Sequence, residues 1–175
     1  RSLRQRYGVL LCGIEVWDPD LSVAHRRALR NATIRIAISK FTADRVRNRH
    51  PEVGEIETCP LALLSPPPVT KTPERVLLAQ IRDESVLILG RMSSSERYKG
   101  HDELLECWSS VTKQVPHAQL IVAGMGDDLS RLRAKAASLG LANAVLFLGF
   151  VADDTLQALL RRVALFALPS RGEGF

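Results

Sequence analysis

The sequence runs to 175 residues, of which 46% are hydrophobic and 25% charged, enough apolar material for one large globular domain or parts of two. No apolar run approaches the ~20 residues a membrane-spanning helix needs, and the first residues lack a secretory-signal pattern. Cys12, Cys59 and Cys107 are odd in number and lack zinc-site or disulfide spacing, which fits a reducing cytosol.

Charge is unevenly spread: residues 1–64 carry 11 Lys/Arg against 7 Asp/Glu, and the remainder 13 against 12. The excess lies in Arg26, Arg27, Arg30, Arg35, Arg45, Arg47 and Arg49. Two readings of these arginines stay open. They are solvated helix faces, or they form a surface that meets an anionic membrane or an anionic acceptor. Nucleic acid is not an expected partner, because aromatics are few and no nucleic-acid-binding motif is present.

In chain order, residues 7–14 read as a buried strand. A helix capped by Asp20 or Ser22 runs to about residue 31, with Ala24, Ala28 and Leu29 inward. Residues 34–38 are strand-like, 39–49 form a basic helix stopped by His50-Pro51, and 55–63 give another strand. This alternation predicts a parallel sheet. Ser65-Pro66-Pro67-Pro68 is stiff and cannot join a ladder, so residues 65–73 read as an interdomain linker. A helix over residues 73–82 then carries Val76, Leu77 and Ile81 on one face.

The second half repeats the pattern more cleanly. Its strand cores, 86–89, 120–123, 145–148 and 163–168, are nearly all apolar, as in a sheet covered on both faces. The first intervening helix has Leu104, Leu105, Trp108, Val111 and Val115 on one stripe, with Cys107 also placed on the buried side. The second carries Leu129, Leu132, Ala136 and Leu139 and ends at Gly140. The third starts at Asp153 or Asp154 and buries Leu156, Leu159 and Leu160. The fold class is therefore α/β, with two Rossmann-like parallel-sheet domains over residues 1–64 and 74–175.

Candidate binding residues cluster just past strand ends, where open parallel sheets bind ligands. Gly90-Arg91 follows the first strand of the second half, and Tyr98-Lys99-Gly100 precedes the next helix. A guanidinium forks onto phosphate oxygens and an ammonium adds a mobile point charge, beside a helix N-terminus that already favours anions. The spacing is not that of a P-loop. Gly124-Met125-Gly126 allows a tight turn but lacks the third glycine of a dinucleotide fingerprint. Asp127 and Asp128 after it would cap the next helix and repel a pyrophosphate, so no NAD is placed there. In Gly172-Glu173-Gly174-Phe175 a carboxylate between glycines can reach hydroxyls while backbone N–H groups approach a ligand. No His, Cys, Asp or Glu group has metal-ligand spacing.

Taken together, Gly90-Arg91, Tyr98-Lys99-Gly100, Gly124-Met125-Gly126, Phe147-Leu148-Gly149-Phe150-Val151 and Pro169 to Phe175 resemble, in order and spacing, the donor domain of nucleotide-sugar-dependent retaining glycosyltransferases of family 4, which have the GT-B architecture. The likeness is close over residues 75–175. Gly13-Ile14-Glu15-Val16-Trp17 and Ala37 to Thr42 extend it loosely into the acceptor-side domain.

The resemblance implies that Arg91 and Lys99 hold the donor diphosphate and stabilise the departing nucleoside diphosphate without a metal or a cofactor. It implies that Glu173 contacts donor-sugar hydroxyls, that Phe150 and Val151 meet the base through backbone groups, and that Gly90, Gly124, Gly126, Gly172, Gly174 and Phe175 line the donor site. No protein nucleophile is required. Cys12 stands where relatives often carry a histidine, and a second glutamate would fall beyond Phe175. The expectation is therefore a fragment of a cytoplasmic transferase, peripheral to a membrane or not, that does not turn over alone. Its acceptor would be a glycan, a lipid or a small molecule. A nucleotide-sugar epimerase of the same architecture and a non-catalytic nucleotide-sugar-binding module are the alternatives.

Overall fold

The computed structural model describes residues 5–17, 20–62 and 74–174. The proline-rich stretch 65–73 and Phe175 lie outside them. The chain divides into two compact units, one holding the first part of the sequence together with residues 172–174, the other running to Arg171.

The first unit is a three-stranded parallel sheet in the order β1 (Gly8–Leu11), β2 (Ile34–Ala37), β3 (Glu57–Thr58). Leu11 pairs with Ala37, and Ala37 with Thr58, so the strand ends are level. A one-turn α1 (Ile14–Trp17) follows β1. Ser22 caps α2 (Val23–Asn31) by accepting from the His25 N–H, and Ser39 caps α3 (Lys40–Arg49) by accepting from Thr42. Asp20 is not the cap. Leu11, Trp17, Leu29, Ala43, Val46, Val53 and Ile56 form the core. Ala24 and Ala28, expected inward, are exposed, because α2 buries only Leu29. β3 keeps two residues of the nine expected.

The second unit is a four-stranded parallel sheet ordered β6 (Val145–Gly149), β5 (Gln119–Ala123), β4 (Ser85–Leu89), β7 (Leu165–Phe166). Helices α5 (His101–Gln114), α6 (Leu129–Ser138) and α7 (Asp153–Arg162) make the crossovers, and the one-turn α4 (Arg75–Leu78) precedes β4. Alternation along the central strands feeds two cores. Ile88, Leu120 and Val122 pack with Leu105, Trp108, Leu132 and Ala136. Leu87, Ile121 and Ala123 pack with Ile81, Val151 and Leu159. All five residues of β5 are buried, as the apolar run required.

Several expected positions differ. Val76 is 81% exposed, because the helix over residues 73–82 shrinks to a single turn. Leu160 and Cys107 are exposed. Asp153 and Asp154 lie within the first turn of α7, and Ala152 is its N-cap. Strand β7 is two residues long and pairs only with β4, leaving Leu165 and Phe166 exposed.

Candidate functional site

In the second unit, the ends of β4, β5 and β7 send their loops to one place. The first loop begins at Gly90, whose N–H donates to the Ala123 carbonyl, and closes with a 3-10 segment, Ser94–Lys99. Gly100 then takes a left-handed conformation (φ 87°) and opens α5. Glycine is needed there, since a Cβ would lie 2.6 Å from the Pro169 carbonyl oxygen.

Arg91 is exposed, and its Nη2 donates to Glu96 Oε1 at 2.6 Å. Lys99 is half-buried, its ammonium 5.4 Å from the centre of the Tyr98 ring. Both predicted cations thus leave the same ten-residue loop. An anion at Arg91 would compete with Glu96, a partner the sequence pattern did not reveal. His101, the first residue of α5, is 5% exposed, and its Nε2 has no hydrogen-bond partner. Burial lowers its pKa, with Asp102 opposing and Lys99 adding to the effect.

The second loop, Gly124 to Asp128, lies flat against the first. A Cβ on Gly124 would sit 2.0 Å from the Gly90 carbonyl oxygen, and one on Gly126 1.9 Å from that of Met92. Met92 and the second loop exchange backbone bonds, from Met92 N to Met125 O and from Asp128 N to Met92 O, each 2.9 Å. The glycines of the Gly-x-Gly step make that approach possible. The aspartates after it also face the first loop. Asp127 accepts from the Ser94 N–H at 3.0 Å and from the Ser94 hydroxyl. Asp128 accepts a two-point bond from Arg97, both arms 3.0 Å, and further bonds from Arg131. Arg131 also forks onto Asp102, which Lys135 joins. Bonding to Arg131 holds Asp102 at about 2 and Asp128 lower still. Asp128 stands at the N-cap position of α6, as expected, but makes no side-chain capping bond; both aspartates are engaged by the cation loop.

The third loop follows β7. Arg171 N donates to the Tyr98 carbonyl at 2.9 Å, and its guanidinium pairs with Glu103. With Arg97, Tyr98 and Asp102 these residues line a cleft of about 260 Å³. At the end of β6, Gly149 (φ 69°) accepts from Gly124 N, Phe150 is 74% exposed, and the Val151 side chain is buried in the core.

In the first unit, the Gly174 carbonyl accepts from Ser39 Oγ and from Thr42 Oγ1 (2.8 Å). A Cβ on Gly174 would lie 1.8 Å from the Cys12 carbonyl oxygen, so this glycine too is fixed by close approach. Gly172 and Glu173 are half-buried. The Glu15 carboxylate accepts from the N–H groups of Cys12 (3.0 Å) and Gly13 (2.7 Å), closing the turn after β1. Among the described residues, no group of three or more His, Cys, Asp or Glu is placed to hold a metal ion.

Two α/β units, each built on a parallel sheet, are the ingredients of the GT-B class of glycosyltransferase folds, and solved structures agree in fold. A TarM variant from S. aureus, solved with fondaparinux, alpha-GlcNAc-glycerol and UDP, matches with a TM-score of 0.72 at 16% identity, covering 97% of this chain and 33% of TarM. HepE of Anabaena, solved with UDP and glucose, gives 0.65 at 22% identity, covering 95% of this chain and 47% of HepE.

The chain belongs to the family described as glycosyl transferases group 1, whose profile matches residues 83–175. It is 37% identical over 98 residues to the mannosylfructose-phosphate synthase of Agrobacterium fabrum, covering 51% of this chain and 21% of that protein. It is 38% identical over 76 residues to the GDP-mannose-dependent alpha-(1-6)-phosphatidylinositol monomannoside mannosyltransferase of Mycobacterium tuberculosis, covering 43% and 20%. The chain thus spans about a fifth of the length of these relatives.

Proposed function

We propose that this chain carries the donor-binding part of a retaining, metal-independent glycosyltransferase of family 4, which takes its sugar from a nucleoside diphosphate. The observation that carries the reading is the pair Arg91 and Lys99 on one loop beyond β4, braced by the loops of β5 and β7. In this reading the two cations bind the diphosphate oxygens and offset the charge that develops as the nucleoside diphosphate departs. Binding displaces Glu96 from Arg91. The donor phosphate takes the acceptor's proton, so no side chain acts as nucleophile. Glu173 contacts sugar hydroxyls, and the backbone at Phe150 and Val151 meets the base.

The acceptor side rests on different residues. Val23, Arg26, Arg27 and Arg30 follow the i, i+3, i+4, i+7 spacing of one helix face and line, with Glu52, a groove of about 320 Å³. We assign this face to an anionic membrane surface, on which a cytoplasmic enzyme would meet a lipid acceptor. No described helix is long and apolar enough to cross a membrane.

A thermal-shift panel of UDP, GDP, ADP, their sugars and NAD tests the donor assignment. Ligand at about 100 times its dissociation constant stabilises by roughly 2.7 kcal/mol, about 5–10 °C for a chain of this size. A shift with one or more nucleoside diphosphates is the expected result. Stabilisation by NAD alone, or by none of the panel, overturns the reading.

A further inference from the structure

Asp127 and Asp128 place two carboxylates next to a loop whose proposed ligand is an anion. By Coulomb's law alone, either one weakens anion binding, and its removal should strengthen it. The contacts say otherwise. Ser94 and Arg97 lie between Arg91 and Lys99 in the chain, and each is tied to one aspartate. Asp127 bonds both the N–H and the hydroxyl of Ser94, fixing the start of the 3-10 segment. Asp128, only 6% exposed, holds Arg97 at two points, two residues before Lys99. Arg131 locks Asp128 in place from α6 and connects it to Asp102 on α5. The loop bearing both cations is therefore pinned in the middle and near its end by the residues that follow the Gly-x-Gly step.

We propose that Asp127 and Asp128 are positioning residues for the anion site: they act through the loop to set Arg91 and Lys99, and so favour binding of a nucleoside diphosphate despite their own charge. The proposal rests on the donor-site reading above. The charge of Asp128 is offset by cationic partners, while that of Asp127 lies at the exposed surface, where solvent screens it. Asp128 is matched by two guanidinium groups, and Asp127 by two hydrogen-bond donors on Ser94. What remains is the geometric effect, because a binding constellation loses its strength when supporting contacts let it drift.

The sign of the effect makes the test sharp. Asp127 is on the surface, so Asp127→Ala keeps the fold even if Asp128→Ala does not. Affinity for UDP and GDP is measured by titration calorimetry at low ionic strength, with thermal stability followed in parallel. Asp127→Ala is expected to weaken binding about tenfold, the worth of one good hydrogen bond to a charged group. Asp127→Asn retains an acceptor for Ser94 and should restore most of that affinity. In a Lys99→Ala background, Asp127→Ala should cause a smaller further loss, since one of the two cations it positions is gone.

Unchanged or tighter binding in Asp127→Ala overturns the proposal, as does an equal loss with and without Lys99. If the wild-type chain binds neither UDP nor GDP, the donor-site reading fails and takes this proposal with it. If the wild-type chain binds and Lys99→Ala weakens it, while Asp127→Ala does not, only the positioning role is refuted.

Discussion

Acidification should loosen the brace between α5 and α6 in a defined pH window. Asp102 sits at the first turn of α5, bonded by Arg131 at 2.9 and 2.6 Å and joined by Lys135. Bonding to Arg131, against an opposing effect of burial, holds its pKa at about 2 where the ordinary value is 3.8. A carboxylate with a depressed folded pKa adds stability that is fully present above the unfolded value and is lost as pH falls through the folded one. The gap corresponds to roughly 2 kcal/mol, and somewhat less after solvent screening of a partly exposed pair. Urea unfolding of the wild type and Asp102→Asn between pH 7 and pH 2 gives the comparison. The difference in unfolding free energy should be constant above about pH 5 and shrink toward pH 2. Burial of His101 lowers its pKa and costs stability at mildly acid pH, and because Asp102 opposes that shift both proteins are also compared in a His101→Gln background, which removes this titration from the difference. A difference that stays constant down to pH 2 would refute the assignment of this ion pair as a stabilising contact.

Two further outcomes follow from the geometry. Gly126→Ala drives a Cβ against the Met92 carbonyl and disturbs two backbone hydrogen bonds, so it should cost on the order of 3 kcal/mol in urea unfolding. Gly140→Ala, with open space around it but φ 71°, should cost only about 1 kcal/mol, and equal losses at the two sites would contradict the close-approach argument. Replacing Arg26, Arg27 and Arg30 with glutamine should lower partition onto phosphatidylglycerol vesicles by about 100-fold, at roughly 1 kcal/mol per arginine. Unchanged sedimentation with the vesicles would remove the membrane assignment.

The alternation of the second unit was readable because its central strands are covered on both faces. Residues 86–89 and 120–123 are unbroken apolar runs, and such runs have few alternatives to a buried parallel strand. The same signal overstated β7. Residues 163–168 are also apolar, but pairing with one neighbour keeps only Leu165–Phe166 in the ladder. Periodicity also placed Val76, Ala24 and Ala28 inward, since it cannot tell how long a helix is or how much of it finds a core.

At the candidate site, Arg91, Lys99 and their place past a strand end were legible from local chemistry. Their partners were not. Ser94 and Asp127 are 33 residues apart in sequence, and Arg97 and Asp128 are 31 apart, so no spacing rule joins them. The two aspartates stood out in the sequence as a charge conflict with a bound phosphate. In the structure both bond the loop that folds onto them.

Binding of an anionic diphosphate by Arg91 and Lys99 is the central claim. Titration calorimetry of the wild type, Arg91→Ala and Lys99→Ala with the best-binding nucleoside diphosphate measures this directly. Each single variant should lose at least tenfold in affinity, with the loss smaller at high salt, because charge-assisted bonds to phosphate contribute roughly 1.5–3 kcal/mol and are screened. Affinities within twofold of the wild type for both variants would contradict it.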